Sequence, residues 1–579
     1  MNRTMFASSI LLVLMVTVII PPTNGSDDVI RFAVIGDRTG GHVPGVYEKI
    51  LDRVESMKPE FAITVGDQIE GYNDDIDMID AQWAEYDSIA SVLSMPLFFT
   101  VGNHEIWSDI SYDHYRETRG ETYYSLNWGS LHLVVLDNGR YNSTSDFASE
   151  QLDWLAADLP KYSGGYRLIV FMHKPFWFDT IEEGKPDTLH SLFVANGVEA
   201  VFTGHYHSYF SGEYDGIKYT SLGSSGGDAS ESPTGMHYHF AWVAVTDDEI
   251  DITPITLEGA RAWDDMPASD LKFIDQIRYR GVVMDKPLSV SRDMTPSDTM
   301  ISLRVVNLND DLTLSDTIEW KCPENWTVSP LRRAFSLGPN EEIQLIFAPT
   351  NDGRLYPLPS LQTDYAYNEN FKCHVERNLR VARSVDCYPA DRVSVDGKLD
   401  EGCWKDPATR LFHQDGSMMQ TDPVEFYFAY DSANIYLAAR CEESKMDSLT
   451  SKATDHDASI FSEDCVGYFI QPDIDRGVAY QVYINPNAAV FDQKLIVAED
   501  GYTDYYREWD GEYEVNTQRG DDFWTVEAAI PLSVLDAEVS PGMKWGINFR
   551  RKQARNNAAA DWQTPIDYNP NTYGVLLLH

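Results

Sequence analysis

Between residues 29 and 257 the chain repeats one pattern: an apolar run that ends in a short polar cluster. Phe32-Ala33-Val34-Ile35 precedes Gly36-Asp37-Arg38-Thr39-Gly40, and Phe61 through Val65 precedes Gly66-Asp67. Leu97 through Val101 leads into Gly102-Asn103-His104-Glu105, Leu168 through Met172 into His173, and Val198 through Thr203 into Gly204-His205-Tyr206-His207. Continuous apolar runs of this length predict strands covered on both faces. Between them, Gly45 to Met57, Asp77 to Leu93 and Ser149 to Leu159 carry apolar residues every three or four positions, the period of an amphipathic helix. Late in the region come strands without helices, at 218–222, 238–245 and 250–255, after which the alternation stops. The order predicts a mostly parallel sheet joined to a second, antiparallel-tending one. The polar clusters then fall at the carboxyl ends of strands, the edge at which layered α/β sheets form sites.

After residue 257 the period changes. A polar connector over 261–285 is followed by alternating runs such as Met300 to Val306 and Ile343 to Phe347, with turn residues at 307–311 and 339–340. Short strands at this spacing predict an immunoglobulin-like sandwich over 258–384, with Trp320 or Trp326 in its core and Cys322 and Cys373 placed to staple it. From about Val385 to His579 the alternation strengthens, through Val424 to Tyr430, Asn434 to Ala439, Asp464 to Ile470, Trp524 to Pro531 and Trp545 to Arg550. This is the pattern of an antiparallel β-sandwich.

The length of 579 residues exceeds what one core supports and points to roughly two to four domains. A formal charge of −46 disfavours nucleic acid as a partner, because phosphate backbones would be repelled. Residues 1–25 read as an export leader: Arg3, an apolar run from Ile10 to Ile20 too short to span a bilayer with ease, then the breaker Pro21-Pro22-Thr23-Asn24-Gly25. The expected location is therefore secreted, periplasmic or cell-surface, with no membrane span after cleavage. Six cysteines, all beyond residue 321 and with no C-x-x-C pair, leave room for up to three disulfides in an oxidising compartment.

Taken together, the ordered clusters from Asp37 to His207 resemble the calcineurin-like metallophosphoesterases over residues 29 to 257. The resemblance implies a four-layer αββα sandwich at 26–257 with a dinuclear metal centre. Position by position, it implies Asp67 as the ligand bridging two divalent or trivalent ions, Asp37 and His207 on one of them, and Asn103, His173 and His205 on the other. Oxygen and imidazole donors without thiolate suit Mn, Fe or Zn. Two such ions ~4 Å apart clamp a phosphoryl group and generate hydroxide for in-line attack. His104 resembles the family's general acid, with Glu105 orienting its ring and Arg38 offering its donor fork to substrate phosphate.

One position departs from the family. Many members carry Asp-x-His at the first cluster, whereas this chain has Asp37-Arg38-Thr39. Glu70, His42 or water could supply the missing ligand, or the first ion could bind weakly. His237 and His239 lie two apart on one strand face and read as structural, and His114, His132 and His190 carry no functional signal.

The last segment, 385–579, resembles the family 9 carbohydrate-binding modules, in which two aromatic rings sandwich a sugar. The matching positions are Phe461 and Trp562, while Gly467 stands where the family places a polar-binding Glu. The expected function is a secreted metallophosphoesterase acting on a phosphorylated small molecule or glycan, with a carbohydrate-binding accessory module. Two alternatives remain. One is a carbohydrate-binding surface protein of polysaccharide catabolism whose phosphoesterase domain is degenerate; the other is an adhesion protein built of spacers.

Overall fold

The computed structural model describes residues 29–579 apart from 230, 392, 414, 415, 420, 421, 475, 498–502 and 565–568. The leader read at 1–25 lies outside the described residues. Among those residues no helix is long and apolar enough to cross a membrane. The chain divides into two compact units, one ending at Phe273 and the other running from Ile274 to His579.

Among the described residues the N-terminal unit contains eleven strands: β1 (Ile30–Ile35), β2 (Phe61–Thr64), β3 (Leu97–Phe98), β4 (Tyr124–Trp128), β5 (Leu131–Val135), β6 (Arg167–Phe171), β7 (Val198–Thr203), β8 (Phe210–Tyr214), β9 (Ile217–Ser221), β10 (His239–Val245) and β11 (Ile250–Thr256). They form a five-stranded sheet in the order β11-β10-β1-β2-β3 and a six-stranded sheet in the order β4-β5-β6-β7-β9-β8. Period-two alternation distributes the side chains. Phe32, Val34, Phe61 and Ile63 from the first sheet meet Leu133, Val135, Phe171 and Phe202 from the second in one core. Ala33, Ile35 and Ala62 point the other way, onto Tyr47, Ile50, Leu51 and Val54 of the helix Val46–Met57 and Trp83 of the helix Ile76–Ala90. On the outer face of the second sheet, His132 of β5 meets Asp158 of the helix Ser149–Tyr162 at 2.9 Å. The layering is helix, sheet, sheet, helix.

β1, β2 and β3 run parallel, as do β5, β6, β7 and β9. Strand β3 is shorter than its apolar run, because Phe99 to Val101 leave the ladder before the Gly102 turn. The unit also extends past residue 257. Trp263 donates its indole N–H to Thr220 at 2.8 Å, Tyr209 donates its hydroxyl to the Trp263 carbonyl at 2.6 Å, and Lys272 pairs with Asp179 at 3.0 Å. The first half of the polar connector is thus bound to the surface of the first unit.

The C-terminal unit is all β apart from short helical turns. Its first part holds two four-stranded sheets. One contains Val282–Met284, Ile301–Val306, Glu342–Asn351 and Trp326–Ser329; the other contains Arg332–Leu337, Leu314–Lys321, Ser360–Ala366 and Lys372–Asn378. Trp320 and Trp326 are both buried, and Trp320 meets Phe347 edge-on at 5.6 Å. The expected disulfides are absent: all six cysteines are free thiols, Cys373 buried and Cys322 half-buried, so the sheets are held by core packing and by hydrogen bonds such as that from the Tyr365 hydroxyl to the Val306 carbonyl at 2.9 Å. In the second part, strand Ser384–Pro389 pairs with both Gly574–Leu578 and Val424–Tyr430, so one hydrogen-bonded ladder folds over on itself. Phe426, Leu437 and Val526 from one face interleave with Val466, Tyr468, Ile547 and Phe549 from the other.

Trp562 belongs to that core, which corrects its expected role as a sugar platform. It is 2% exposed, stacks on Phe549 at 4.9 Å and lies under the Arg383 guanidinium at 4.7 Å. A Cβ on Gly574 would approach its ring to 2.4 Å, so both faces are occupied by protein. Phe461 is 39% exposed and packs on Tyr483 and Phe491, so the two rings do not form an open pair. Trp562→Ala is therefore expected to lower the stability of this unit by ~3–5 kcal/mol. Chemical denaturation followed by tryptophan fluorescence checks this, and an unchanged midpoint would put the ring outside the core.

Candidate metal centre

The carboxyl ends of β1, β2, β6 and β7, together with the turn after β3, bring Asp37, Asp67, Asn103, His173, His205 and His207 to one edge of the two sheets. Three of these residues adopt a left-handed backbone: Asp67 at φ 56°, His205 at φ 76° and His207 at φ 52°. Such conformations are rare for residues with a Cβ and persist only where surrounding bonds hold them.

For Asp67 those bonds come from Glu105. Its carboxylate accepts the backbone N–H groups of Asp67 at 3.0 Å, Gln68 at 2.6 Å, Ile69 at 3.2 Å and Gly102 at 2.7 Å. The Asp67 carbonyl in turn accepts from the N–H groups of Arg38 and Thr39 at 3.0 and 3.1 Å. This assigns Glu105 a different task from orienting the His104 ring: it fastens the Asp67 loop to the Gly102 turn. Burial first, and then the charge of Asp67, push the Glu105 carboxyl up to about 7.

Arg38 also departs from expectation. It is 4% exposed and donates to the Gln68 carbonyl at 3.0 Å and to Glu85 at 2.6 Å, so its fork braces the loop and is not open to phosphate. Thr39 donates its hydroxyl to the carbonyls of Asp67 and Ile69. Glu70 and His42 bond to each other at 2.8 Å at a half-exposed position. Glu70 and His42 are absent from the groups of converging His, Asp and Glu ligand atoms among the described residues.

Two such groups share Asp67: Asp67 with His173 and His205, and Asp37 with Asp67 and His207, each set of ligand atoms lying within 4.8 Å. The tautomers are set from outside. His173 Nδ1 stands 2.8 Å from the Val65 carbonyl and His207 Nδ1 2.6 Å from the Asp228 carbonyl; a carbonyl only accepts, so each Nδ1 carries hydrogen and Nε2 is turned to the centre. Around His173 Nε2 converge Asn103 Oδ1 at 2.9 Å, His205 Nδ1 at 3.1 Å and Asp67 Oδ2 at 3.2 Å. One proton cannot satisfy that many lone pairs, whereas a cation can. On the other side, Asp37 is fully buried and its Oδ1 has no hydrogen-bond partner, while Oδ2 accepts from the His205 N–H at 2.8 Å and faces His207 Nε2 at 3.4 Å. A Cβ on Gly204 would come within 2.2 Å of Asp37 Oδ1, and one on Gly102 within 2.1 Å of Asp67 Oδ1. The donor set and the orphaned oxygen fit a pair of oxygen- and imidazole-loving cations.

The electrostatics agree. Burial acts to raise the Asp67 carboxyl, but the charges of His173 and His104 hold it well below its ordinary value. Burial likewise opposes charge on His173, yet Asp67 raises it to about 9. Burial lowers His205 to about 3, with His173 adding to the effect, so it is a neutral donor. Beside Asp67 stands His104, with Nδ1 at 2.7 Å from the Glu70 carbonyl and Nε2 at 3.7 Å from Asp67 Oδ2. Tyr72, which the sequence did not single out, packs on His104 at 4.5 Å and meets the Asn103 amide at 2.5 Å. No spacing motif marks it, because its neighbour comes from another loop. His239 is buried and accepts from the Gly223 N–H at 3.2 Å, and His237 bonds to the Ala229 carbonyl, so neither belongs to the centre. His114, His132 and His190 bond to Asp80, Asp158 and Asp215.

Because a proton and a metal compete for His173 Nε2, metal affinity is expected to rise with pH up to about 9 and then level off. Loading the chelator-stripped protein with Mn2+ or Zn2+ at pH 8 should release about one proton from His173. Calorimetry in two buffers of different ionisation enthalpy measures this. Zero release at pH 8 would remove His173 from the ligand set, and Asp67→Ala should abolish uptake into both groups.

Comparison with known proteins places these observations. Serine/threonine-protein phosphatase CPPED1 of Homo sapiens is 26% identical over 204 residues, which is 31% of this chain and 63% of that protein. Purple acid phosphatase 21 of Arabidopsis thaliana is 30% identical over 210 residues, 31% of this chain and 44% of that protein. The chain thus spans less than two thirds of the length of either relative. Among solved structures, a dimetal phosphatase from Danio rerio aligns with 39% of this chain and 96% of its own, at 15% identity and a TM-score of 0.32. A family 9 carbohydrate-binding module from Caldicellulosiruptor kristjanssonii, in complex with cellotriose, aligns with 34% of this chain and 93% of its own, at 17% identity and a TM-score of 0.25. Residues 30–209, which hold all the converging ligands of the centre, match the family model of the calcineurin-like phosphoesterases.

Proposed function

We propose that the N-terminal unit is a metal-dependent phosphoesterase that hydrolyses phosphate esters at the Asp37–His207 centre. The observation that carries this reading is the shared carboxylate: Asp67 belongs to both ligand groups, and an uncommitted imidazole nitrogen, His104 Nε2, stands beside it. Asp37, Asp67 and His207 would hold one ion, and Asp67, Asn103, His173 and His205 the other. When bound, the ions supply Lewis acidity toward the phosphoryl oxygens and make water a nucleophile near neutral pH.

The chain's own residues do the rest. Asn103 and His173 are locked in orientation, Asn103 by Tyr72 and His173 by the Val65 carbonyl. The Glu70 carbonyl accepts from His104 Nδ1 and so holds the ring with Nε2 toward the centre; in its imidazolium form the ring carries a second proton on Nε2, and that proton passes to the departing ester oxygen. Tyr72 and Trp107 are exposed and their rings stand 6.0 Å apart, next to His104, where the leaving group must exit. Location outside the cytoplasm is part of the proposal and rests on residues 1–25 alone. The C-terminal unit is given an accessory role in carbohydrate contact through Phe461, the one exposed ring of the pair first considered. Phe461→Ala should then abolish glycan-array retention of the full chain, and wild-type protein that binds no glycan would end that accessory role.

His104→Ala is expected to lower turnover of a chromogenic phosphomonoester by ~10²-fold or more with unchanged metal content, because the proton is needed only as the bond breaks. Parallel steady-state kinetics and elemental analysis check this. Unchanged turnover would remove His104 from the reaction, and lost metal would make it a ligand.

A further inference from the structure

A second convergence of metal-ligating side chains lies in the C-terminal unit, at the edge formed by strand Val490–Val497. His456 Nε2 stands 3.7 Å from Asp457 Oδ1, 3.6 Å from Asp492 Oδ1 and 3.7 Å from Asp510 Oδ1. All four ligand atoms lie within 4.8 Å of one another. They come from three separate stretches of chain that the backbone ties together. The Asp457 N–H donates to the Val490 carbonyl at 2.8 Å, and the Gly511 N–H donates to Asp492 Oδ2 at 3.0 Å.

Asp492 separates this cluster from an ordinary acidic surface. It is 0% exposed, and its Oδ1, the oxygen aimed at His456, has no hydrogen-bond partner. The Tyr513 hydroxyl faces the same carboxylate, and burial first and then Asp492 push it well above its ordinary range, while Oδ1 itself keeps no donor. A buried carboxylate oxygen without a donor is costly, and native proteins rarely leave one uncompensated. A protonated His456 would bring one positive charge to three carboxylates and leave a concentrated negative charge around a buried group. A divalent cation removes most of that imbalance. The donors also select the ion: one imidazole with three carboxylates is a borderline set, unlike the all-oxygen shell that calcium prefers. A tetrahedral ion with bonds of ~2.0–2.2 Å sets its ligand atoms roughly 3.3–3.6 Å apart, close to the 3.6 and 3.7 Å that separate His456 Nε2 from the three carboxylates.

We propose that His456, Asp457, Asp492 and Asp510 form a divalent-cation site of the zinc class in the C-terminal unit, separate from the centre at Asp67. Bound there, the ion would clamp the 456–457 and 510–511 segments onto strand Val490–Val497, whose Phe491 supports the exposed Phe461 at 4.8 Å. The site would therefore act as a staple beneath that ring, in a unit that has no disulfides.

The test uses the full chain, stripped with chelator, reloaded with Zn2+ and freed of excess ion by gel filtration. Zinc per chain is measured by elemental analysis for the wild type, His456→Ala and Asp492→Asn. Each variant is expected to hold one zinc fewer than the wild type, with phosphomonoester turnover unchanged. Zinc should also raise the melting temperature of the wild type by more than that of His456→Ala. Because the readout is a difference of one equivalent, it stands whether or not the Asp67 centre fills. Asp492 is buried and its variant could fail to fold; His456 has a side chain 41% exposed, so His456→Ala keeps the test decisive. Wild-type zinc content in His456→Ala would overturn the proposal and leave the cluster an ion pair only.

Discussion

The Asp67 carboxylate, buried at the end of β2 on a left-handed backbone, is the constraint around which the N-terminal unit is arranged. Its side chain is shared by two ligand groups, and its main chain is bonded on both sides, by Glu105 through the N–H and by the first-cluster loop through the carbonyl. Four N–H groups spread over two loops converge on the one Glu105 carboxylate, which ties the strand-end loops after β2 and β3 to each other. A ligand set that must hold its geometry needs such support, because short side chains on independent loops would relax apart.

The centre is also a case of deliberate electrostatic mismatch. Lone pairs from Asp67, Asn103 and His205 crowd one nitrogen of His173, and Asp37 carries an oxygen with no partner. A cation placed among them would satisfy these lone pairs together, which the single proton on His173 Nε2 cannot do. The Val65 and Asp228 carbonyls keep the mismatch in place by fixing which ring nitrogen faces inward. A similar logic operates at Asp492, where a buried oxygen again lacks a donor and an imidazole stands opposite.

The C-terminal unit shows how far aromatic identity can mislead. Trp562 and Phe461 both stand in sandwich sequences that alternate polar and apolar positions, and nothing local distinguishes a groove ring from a core ring. The separation came from the partners. Phe549 and Arg383 close over the two faces of Trp562, and Gly574 makes room for its edge. Phe461 finds neighbours on one side only. The absence of disulfides has the same origin, since cysteine spacing says nothing of which thiols approach.

By itself the sequence determined the strand-helix alternation of residues 29–257, the placement of Asp37, Asp67, Asn103, His173, His205 and His207 at strand ends, and the turn to predominantly β structure after the connector. These follow from side-chain period and from local turn residues, which act over a few positions. Only the tertiary structure decided what Arg38, Glu105 and Thr39 do. Arg38 and Glu105 read as site chemistry in the sequence, and Thr39 as the position of the family's missing His, yet their charges and hydroxyl are spent largely on backbone groups about 30 residues or more away, and on Glu85. It also decided that His456, Asp457, Asp492 and Asp510 meet, since their spacing of up to 54 residues carries no motif and hydrogen bonds between loop and strand bring them together. Contacts between distant segments depend on which sheets pack and in what register, and that information belongs to the whole core and to no single stretch of it.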